Sequence, residues 1–399
     1  MLTYFVTGAA GFIGANFLKY ITSKHNGNIK VIVLDALTYA GNLRSIEEEL
    51  KLPNVTFCKG DIGDHDLVKN IFDNNDIDYV VNFAAESHVD RSIDNPRLFL
   101  ETNILGTQNM LNCAREAWFM GKGDDGKPAY KPGKKYLQIS TDEVYGSLEK
   151  DFDEAQPLHV DDELKNVIEG RHDLTTFGRQ FFTEDTPMSP RSPYSASKTS
   201  ADMIVLAYYH TYNMPVNITR CSNNYGPYHF PEKLIPLVIH NILNGKKLPV
   251  YGKGLNVRDW LYVEDHCKAI DLVLRKGVIG EVYNIGGFNE ESNINIVKLI
   301  IDTIARIMRE ETHYQKLLKC NLDDINYNLI SFVTDRPGHD MRYAIDPTKI
   351  ATQLGWYPET PFTVGIEKTI RWNLDHQQWI DEVTSGDYQK YYEQMYDNR

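Results

Sequence analysis

The feature that most constrains the fold of this chain is the regular alternation of short apolar segments with amphipathic ones over its first 140 residues. The apolar segments are continuous, which is typical of strands buried on both faces of a sheet. Such strands, separated by helices, indicate a parallel sheet covered on both sides, and right-handed crossovers make it a doubly wound α/β fold. The predicted strands are residues 4–7, 30–35, 55–58, 79–84 and 135–140, and the predicted helices are residues 12–21, 64–74 and about 96–118.

The regular alternation stops at Gly146, and the rest of the chain follows a different pattern. Residues 147–185 are acidic and irregular, so we interpret them as an insertion or lid. Mixed helix and strand patterns, punctuated by proline and glycine, then predict a smaller α/β lobe. The later predicted elements are helices over residues 193–213 and 263–276 and strands over residues 216–220 and 282–285. The predicted organisation is a first domain over residues 1–220, to which residues from about 262 to 288 return, and a lobe over residues 221–399.

The charge of the chain limits its partners. It has 42 basic and 55 acidic residues, a formal net charge of −13. That sign disfavours nucleic acid, which normally meets a basic protein face, and anionic membrane surfaces, but it does not exclude a small anionic ligand. Residues 147–185 hold eleven acidic and four basic residues, and residues 376–399 hold five and two, so these segments carry most of the excess. The remainder of the chain is nearly balanced.

The five cysteines are scattered, with no Cys-x-x-Cys pair. This spacing is typical of neither a zinc site nor a disulfide framework, so we expect no metal and a reducing compartment. No apolar run approaches the roughly 20 residues that span a bilayer. The first residues form a predicted strand and lack the features of a signal peptide. We therefore expect a soluble, cytoplasmic protein.

A glycine motif follows the first predicted strand. Gly8, Gly11 and Gly14 form the pattern G-x-x-G-x-x-G between a strand and a helix, where glycines allow a tight turn and a close backbone approach to a pyrophosphate. Asp35 ends the second predicted strand, 21 residues after Gly14. Its carboxylate can accept hydrogen bonds from an adenosine ribose diol and would repel a 2′-phosphate. The sequence therefore predicts a Rossmann-type domain that binds NAD rather than NADP.

Tyr194 and Lys198 stand four residues apart, on one face of a predicted helix. A free tyrosine has a pKa of about 10, so a base active near neutral pH needs a lowering of roughly 3 units, or about 4 kcal/mol. A lysine one turn away and a positively charged nicotinamide are both able to contribute to that lowering. We predict that this pair acts on the substrate beside the nucleotide.

Three polar residues end the fifth predicted strand. Thr141 lies where a hydroxyl can polarise a substrate oxygen beside the tyrosine. Asp142 and Glu143 follow it and offer an acid and a base, provided that their environments keep one protonated and the other ionised. Because these residues follow a strand at the edge where ligands bind in open α/β sheets, we predict that they are catalytic.

These motifs resemble two nested families. The glycine motif, Asp35 and the Tyr194–Lys198 pair are similar to those of the extended short-chain dehydrogenase/reductases. Residues 84–90 (AAESHVD), 141–143 (TDE), 220–227 (RCSNNYGP) and 335–340 (DRPGHD) resemble the dTDP-glucose 4,6-dehydratases over nearly the whole chain except residues 147–185, which look long for that family. Sugar-nucleotide 4-epimerases share the cofactor motifs and the tyrosine but generally lack the Asp-Glu pair.

The resemblance implies a three-step reaction. Tyr194, as phenolate, takes the proton of the sugar O4 while NAD accepts the C4 hydride. The C4 ketone acidifies the C5 proton, Glu143 removes that proton, and Asp142 protonates the departing C6 hydroxyl. The hydride then returns to C6 and a proton to C5, which yields water and a 4-keto-6-deoxy sugar nucleotide and regenerates NAD. The product would feed deoxysugar biosynthesis, such as a dTDP-rhamnose pathway.

The expected site has one half that holds NAD and one half that holds dTDP-glucose, and Ser87 belongs to both. Arg258, Arg336 and Lys233 are the cations available to the substrate pyrophosphate, which a guanidinium can grip with two hydrogen bonds. The residues expected to hold NAD are Gly8, Gly11, Phe12, Ile13, Gly14, Asp35, Leu37, Thr38, Asp61, Ile62, Phe83, Ala84, Ala85, Ser87, Thr102, Tyr194, Lys198 and Asn224. Those expected to hold dTDP-glucose are Ser87, Thr141, Asp142, Glu143, Asn223, Lys233, Leu234, Pro249, Val250, Tyr251, Arg258, Asn293, Arg336 and His339.

Some alternatives stay open at this point. Another NAD-dependent sugar-nucleotide enzyme, such as a 4-epimerase, a decarboxylase or a dehydratase of a different nucleotide sugar, is the nearest rival. A non-catalytic dinucleotide sensor is a rival of a different kind, although it would not need Tyr194, Lys198, Asp142 and Glu143 together. The resemblance also implies a homodimer, formed through the helix at about 96–118 and the helix that carries Tyr194.

Overall fold

A seven-stranded parallel sheet lies at the centre of the molecule, as the sequence predicts. The structure, a computed structural model, describes residues 1–160, 164–165, 168, 174–335 and 338–384. The strands of the central sheet lie in the order β14-β10-β7-β4-β1-β2-β3, and all of its pairings are parallel. The described strands are β1 Leu2–Thr7, β2 Ile29–Asp35, β3 Val55–Lys59, β4 Tyr79–Asn82, β5 Phe119–Lys122, β6 Pro128–Tyr130, β7 Lys135–Thr141, β8 Gln156–Pro157, β9 Thr175–Thr176, β10 Val216–Cys221, β11 Asn223–Tyr225, β12 Leu248–Tyr251, β13 Val257–Tyr262, β14 Val282–Ile285, β15 Glu290–Ser292 and β16 Ile330–Val333.

Helices cover both faces of this sheet, which explains why its strands are continuously apolar. On one face, α1 and α9 pack over β1 and β2, and on the other α3, α6 and α7 pack over β4 and β7. The described α-helices are α1 Phe12–His25, α2 Glu47–Leu50, α3 His65–Asp73, α4 Val89–Asp94, α5 Pro96–Leu100, α6 Thr107–Trp118, α7 Pro193–Tyr212, α8 Leu234–Leu243, α9 Val263–Lys276, α10 Asn293–Glu310, α11 Thr348–Leu354, α12 Phe362–Asp375 and α13 Gln377–Val383.

The helix predicted over about 96–118 is interrupted. It consists of α5, a π-helical turn over Glu101–Gly106, and α6. The side chain of Asn103 in this turn donates to the Glu86 carbonyl oxygen at 2.9 Å and to Ser197 Oγ at 2.8 Å, and accepts from the Glu86 N–H at 2.9 Å. The π-turn therefore ties the segment after β4 to α7, and such turns are frequent beside functional sites.

The second half of the chain builds a smaller lobe and then returns to the sheet. The lobe contains a three-stranded sheet in the order β11-β13-β15, a β12–β16 pair, and a core shared by α8, α10 and α12. The predicted helix over residues 263–276 and strand over 282–285 are confirmed as α9 and β14, and β14 pairs with β10 at the edge of the central sheet. The domain boundary near residue 220 stays a prediction.

The acidic segment over residues 147–185 is described only in part, since residues 161–163, 166–167 and 169–173 lie outside the described residues. Leu158 and Leu174 pack against Phe288 and Ala351, beside the junction of the sheet and the lobe. Residues 385–399, which hold most of the second acidic segment, also lie outside the described part. Within the part that the structure describes, no helix is long and apolar enough to cross a membrane, and no cluster of acidic, histidine or cysteine side chains is arranged to hold a metal ion.

Candidate active site

A cleft of about 500 Å³ opens at the carboxyl edge of the central sheet, where it meets the lobe. Its walls come from the residues that follow β1, β2, β4, β7 and β10 and from the lobe, which is where ligands bind in open α/β sheets. Nearly all of the site residues expected from the sequence line it. The exceptions are Leu37 and Asp142, which do not line the cleft, and Arg336, which lies outside the described residues.

The glycine turn at one end of the cleft has no room for side chains. Gly8 has a φ of 68°, and a β-carbon there would lie 2.7 Å from the Ala84 nitrogen. A β-carbon on Gly14 would lie 2.3 Å from the Gly8 carbonyl oxygen. The turn between β1 and α1 is thus closed tightly, with the N-terminus of α1 facing the cleft. This cradle fits a pyrophosphate, which helix N-termini and close backbone N–H groups stabilise.

Asp35 connects two segments that form the neighbouring wall of the dinucleotide half of the cleft. Its carboxylate accepts from the Ala10 N–H at 2.8 Å and from the Leu37 N–H at 2.8 Å, so it links the glycine turn to the segment after β2. Burial raises the pKa of Asp35, while these two hydrogen bonds oppose the rise. A carboxylate has further lone pairs for a ribose diol. The side chain of Leu37 packs into the core, so this residue acts through its backbone.

Tyr194 and Lys198 lie in the first turns of α7. Ser192 caps this helix: its side chain accepts from the Ser195 N–H, and the Ser195 side chain accepts from the Ser192 N–H, both at 3.0 Å. Tyr194 and Lys198 are buried and both line the cleft, and Lys198 Nζ donates to the Ile139 carbonyl oxygen at 2.7 Å. The capped first turns of α7 therefore position the side chains of Tyr194 and Lys198 beside the end of β7.

The protein environment works against the charged forms of this pair. Burial raises the pKa of Tyr194 well above its usual value, the Glu143 charge adds to the rise, and a hydrogen bond with Thr141 opposes it. Burial lowers the pKa of Lys198. The side chains alone therefore do not supply the lowering of the tyrosine pKa that a base requires, and we expect a positively charged nicotinamide to contribute.

Asp142 and Glu143 are neighbours in different environments. Glu143 lines the cleft, whereas Asp142 is 2% exposed and lies behind it, with Oδ1 accepting from the Thr141 hydroxyl at 3.2 Å. Burial, followed by the charges of Glu143 and Asp259, raises the pKa of Asp142 well above its usual value. Burial therefore favours the protonated form of Asp142 more than that of a free carboxyl group, and acid–base catalysis needs two groups whose environments differ in this way.

The lobe side of the cleft supplies cations. The Arg258 guanidinium donates to the carbonyl oxygens of Val257 at 2.7 Å and Asp340 at 3.0 Å, and it lies over the Tyr343 ring, 4.1 Å from its centroid. Lys233 Nζ donates to the Ser87 carbonyl oxygen at 3.2 Å across the cleft. Arg258 is thus held rigidly, with donors remaining for a phosphate, since a guanidinium has five.

Sequence reasoning missed several residues of the cleft wall. Tyr39, His229, Phe230, Glu232 and Tyr343 all line it. Three of them, His229, Phe230 and Glu232, follow closely after the RCSNNYGP motif. Their closeness to that motif was the signal that could have identified them. The contacts themselves join distant parts of the chain and leave no local pattern.

A tight dinucleotide turn, a buried Tyr–Lys pair and a facing lobe define the class of extended short-chain dehydrogenase/reductases. Comparison with known proteins identifies the family to which the chain belongs within this class. The family model described as GDP-mannose 4,6 dehydratase matches residues 5–161 and 176–369. The chain belongs to the dTDP-glucose 4,6-dehydratase family, as the sequence indicates, because two relatives of that name are 45% and 46% identical to it over 99% of its length.

Three of these relatives illustrate the similarity. The dTDP-glucose 4,6-dehydratase of Salmonella typhimurium is 45% identical over 394 residues, which cover 99% of each chain. The enzyme of that name from Bacillus anthracis, solved with NAD, is 41% identical with a TM-score of 0.76, covering 96% of this chain and 100% of the other. That from Streptomyces venezuelae, also solved with NAD, is 37% identical with a TM-score of 0.77 and the same coverage.

Proposed function

We propose that this protein converts dTDP-glucose to dTDP-4-keto-6-deoxyglucose and water, as an NAD-dependent hydro-lyase. The observation that carries the proposal is the buried Asp142, whose pKa burial raises well above its usual value, beside Glu143 and Tyr194. A 4-epimerase needs no acid and base for elimination, so this arrangement supports a dehydratase. The names of the relatives support the same activity.

The oxidation at C4 depends on Tyr194, Thr141 and Lys198. NAD, when bound, accepts the C4 hydride and later returns it to C6. Tyr194 takes the O4 proton, and Thr141, which lines the cleft with Tyr194, orients the same oxygen. Lys198 anchors the tyrosine face of α7 to β7 through the Ile139 carbonyl oxygen. Because the cofactor ends each turnover in its starting form, no second reductant is required.

Elimination is the work of the two carboxyl groups. The C4 ketone makes the C5 proton acidic, and Glu143, which faces the cleft, removes it as a carboxylate. Asp142 gives its proton to the C6 oxygen, which leaves as water. Burial raises the pKa of Asp142 and so favours the protonated form that this role requires.

The nucleotide is assigned to the lobe side of the cleft. Arg258 and Lys233 are the described cations that face the substrate pyrophosphate, and Pro249, Val250 and Tyr251 line the part assigned to the base. Arg336 is proposed to join them by resemblance. Thymine and uracil differ by one methyl group, worth about 1–3 kcal/mol, so the preference for dTDP rests on the relatives.

The assay that tests this function detects a 4-keto sugar. The protein is incubated with dTDP-glucose, treated with alkali, and examined for the chromophore of a 4-keto-6-deoxy sugar nucleotide. We expect a strong chromophore that depends on enzyme and develops without added reductant. Conversion of dTDP-glucose to an epimer without chromophore would overturn the proposal.

We also propose that the protein works in the cytoplasm as a homodimer. All five cysteines are free thiols, which supports a reducing compartment. The helices proposed to pair, α5 through α6 and α7, expose large apolar side chains: Leu100 is 46%, Leu105 is 59% and Met203 is 42% exposed. Exposed apolar surface of this kind marks interaction sites.

A further inference from the structure

The wall behind the dinucleotide half of the cleft is made of two loops that are strained. One follows β2 and contributes residues 38–41, and the other follows β11 and contributes residues 229–230. Leu37 in the first loop has a φ of 54°, and Tyr228 in the second has a φ of 64°. Bulky residues rarely adopt this left-handed conformation, and they keep it only where the surroundings hold them.

An aromatic cluster from the end of the chain covers the back of both loops. This C-terminal cluster consists of Tyr39, Tyr228, Phe230, Trp372 and Trp379, with aliphatic side chains of α13. Its ring centroids lie 4.6 Å apart for Tyr228–Trp372, 5.7 Å for Tyr228–Trp379 and 5.7 Å for Tyr39–Phe230. The two tryptophans, on α12 and α13, therefore hold the ring of the strained Tyr228.

Polar contacts also attach α13 to the segment that follows β2. The Trp379 indole N–H donates to Ser45 Oγ at 3.1 Å, in a buried contact, and Arg44 pairs with Glu382 at 3.1 Å. Residues 45 and 379 are far apart in sequence, so these contacts form only when the C-terminal helices have docked.

Both loops also contact the glycine turn. The Asn42 N–H donates to the Ala10 carbonyl oxygen at 3.0 Å. The His229 ring stacks on Phe12 with centroids 4.3 Å apart and planes inclined by 17°. A movement of either loop would therefore displace the glycine turn, which forms the cradle for the pyrophosphate.

We propose that Trp372 and Trp379 are positioning residues for the dinucleotide: they hold the two strained loops in the shape that retains NAD through each turnover. The inference rests on the proposed function only in taking NAD as the cofactor. Removing a tryptophan ring would let the loops relax, and the fraction of molecules in the binding-competent shape would fall. Apparent affinity falls by that same fraction.

The test measures release of NAD from the purified holoenzyme, without substrate. Trp379→Ala is compared with Trp356→Ala. Trp356 is a matched control because its indole N–H also makes a buried hydrogen bond of 3.1 Å, here to the Asp265 carbonyl oxygen, but the residue lies outside the C-terminal cluster. We expect Trp379→Ala to release NAD about tenfold faster, because interface changes act mostly on dissociation. Its dehydratase activity should recover with added NAD, and Trp356→Ala should release NAD at the wild-type rate.

A milder variant covers the case in which Trp379→Ala does not fold. Trp379→Phe keeps most of the ring but loses the bond to Ser45, and we expect NAD release about threefold faster. Wild-type release in the folded Trp379 variants, or equal acceleration in Trp356→Ala, would overturn the inference. Failure of the proposed function would be seen separately, as NAD-loaded wild-type protein that does not convert dTDP-glucose.

Discussion

At the scale of single residues, the sequence predicts a candidate acid and a candidate base, but not the surroundings that shift their pKa values. The order Thr141, Asp142, Glu143 was sufficient to predict an acid and a base at the end of a strand. Burial raises the pKa of Asp142, and the charge of Asp259, a residue far away in the chain, adds to the rise. That part of the site could not be predicted locally, because burial depends on the packing of the whole lobe.

The first prediction separates oxidation from elimination. Asp142→Asn and Glu143→Gln should each reduce product formation by about 10²–10⁴-fold, the usual contribution of an acid or base. Reduced nicotinamide should still appear when dTDP-glucose is added, because Tyr194 is intact. Glu149→Gln, on the exposed surface, is the control and should keep wild-type activity. Normal product formation by both active-site variants would contradict the assigned roles.

The second prediction concerns pH. Because burial raises the pKa of Asp142, the folded protein binds more protons than the unfolded chain between the two pKa values. The contribution of Asp142 to stability is therefore fully present below the unfolded pKa, about 3.9, and is lost as pH rises through the folded pKa. Asparagine does not ionise, so Asp142→Asn should gain in unfolding temperature relative to wild type as the pH rises above about 4, the unfolded pKa. A difference independent of pH would show that Asp142 does not titrate in that window.

At the scale of elements, apolar patterning predicted the central sheet well. The strands and helices predicted for the first half are found within a few residues of their predicted positions, because burial on both faces imposes continuous apolar segments. The short elements α2, α4, β5 and β6 were not predicted. The π-turn over Glu101–Gly106 was not predicted, since it depends on Asn103 meeting partners at residues 86 and 197. The apolar pattern of a helix contains no information about such contacts between distant residues.

The third prediction tests the glycine turn. Gly14→Ala places a β-carbon 2.3 Å from the Gly8 carbonyl oxygen, so α1 must shift away from β1. We expect purified Gly14→Ala to contain less than about a tenth of the wild-type NAD, as a shift of this kind costs 1–3 kcal/mol or more. Gly11→Ala meets the same oxygen at 3.3 Å and should lose much less. Equal NAD contents of wild type and Gly14→Ala would contradict the close packing described here.

At the scale of the whole molecule, the net charge of −13 comes mainly from residues 147–185 and 376–399. No described residue of the acidic segment 147–185 lines the cleft, whereas Arg258 and Lys233 do. An acidic chain can therefore offer cations to a pyrophosphate. The contacts that close the site, such as Trp379 with Ser45 and Arg258 with Asp340, join residues far apart in sequence, which is why local patterns did not reveal them.

The fourth prediction concerns assembly. Leu105→Glu places a charge on the apolar surface proposed as the dimer interface and should give a monomer by light scattering, where the wild type is a dimer. Leu255→Glu, at a leucine that is 45% exposed elsewhere on the molecule, is the control and should stay dimeric. A wild-type monomer, or a dimeric Leu105→Glu, would contradict the proposed interface.

The central claim is that the cleft carries out dehydration, and the identity of the product tests it most directly. Wild-type protein, incubated with dTDP-glucose alone, should give a product lighter by one water, with a methyl group at C6 and a ketone at C4 in its NMR spectrum. A product of unchanged mass, or unaltered dTDP-glucose in the presence of NAD-loaded protein, would contradict the account.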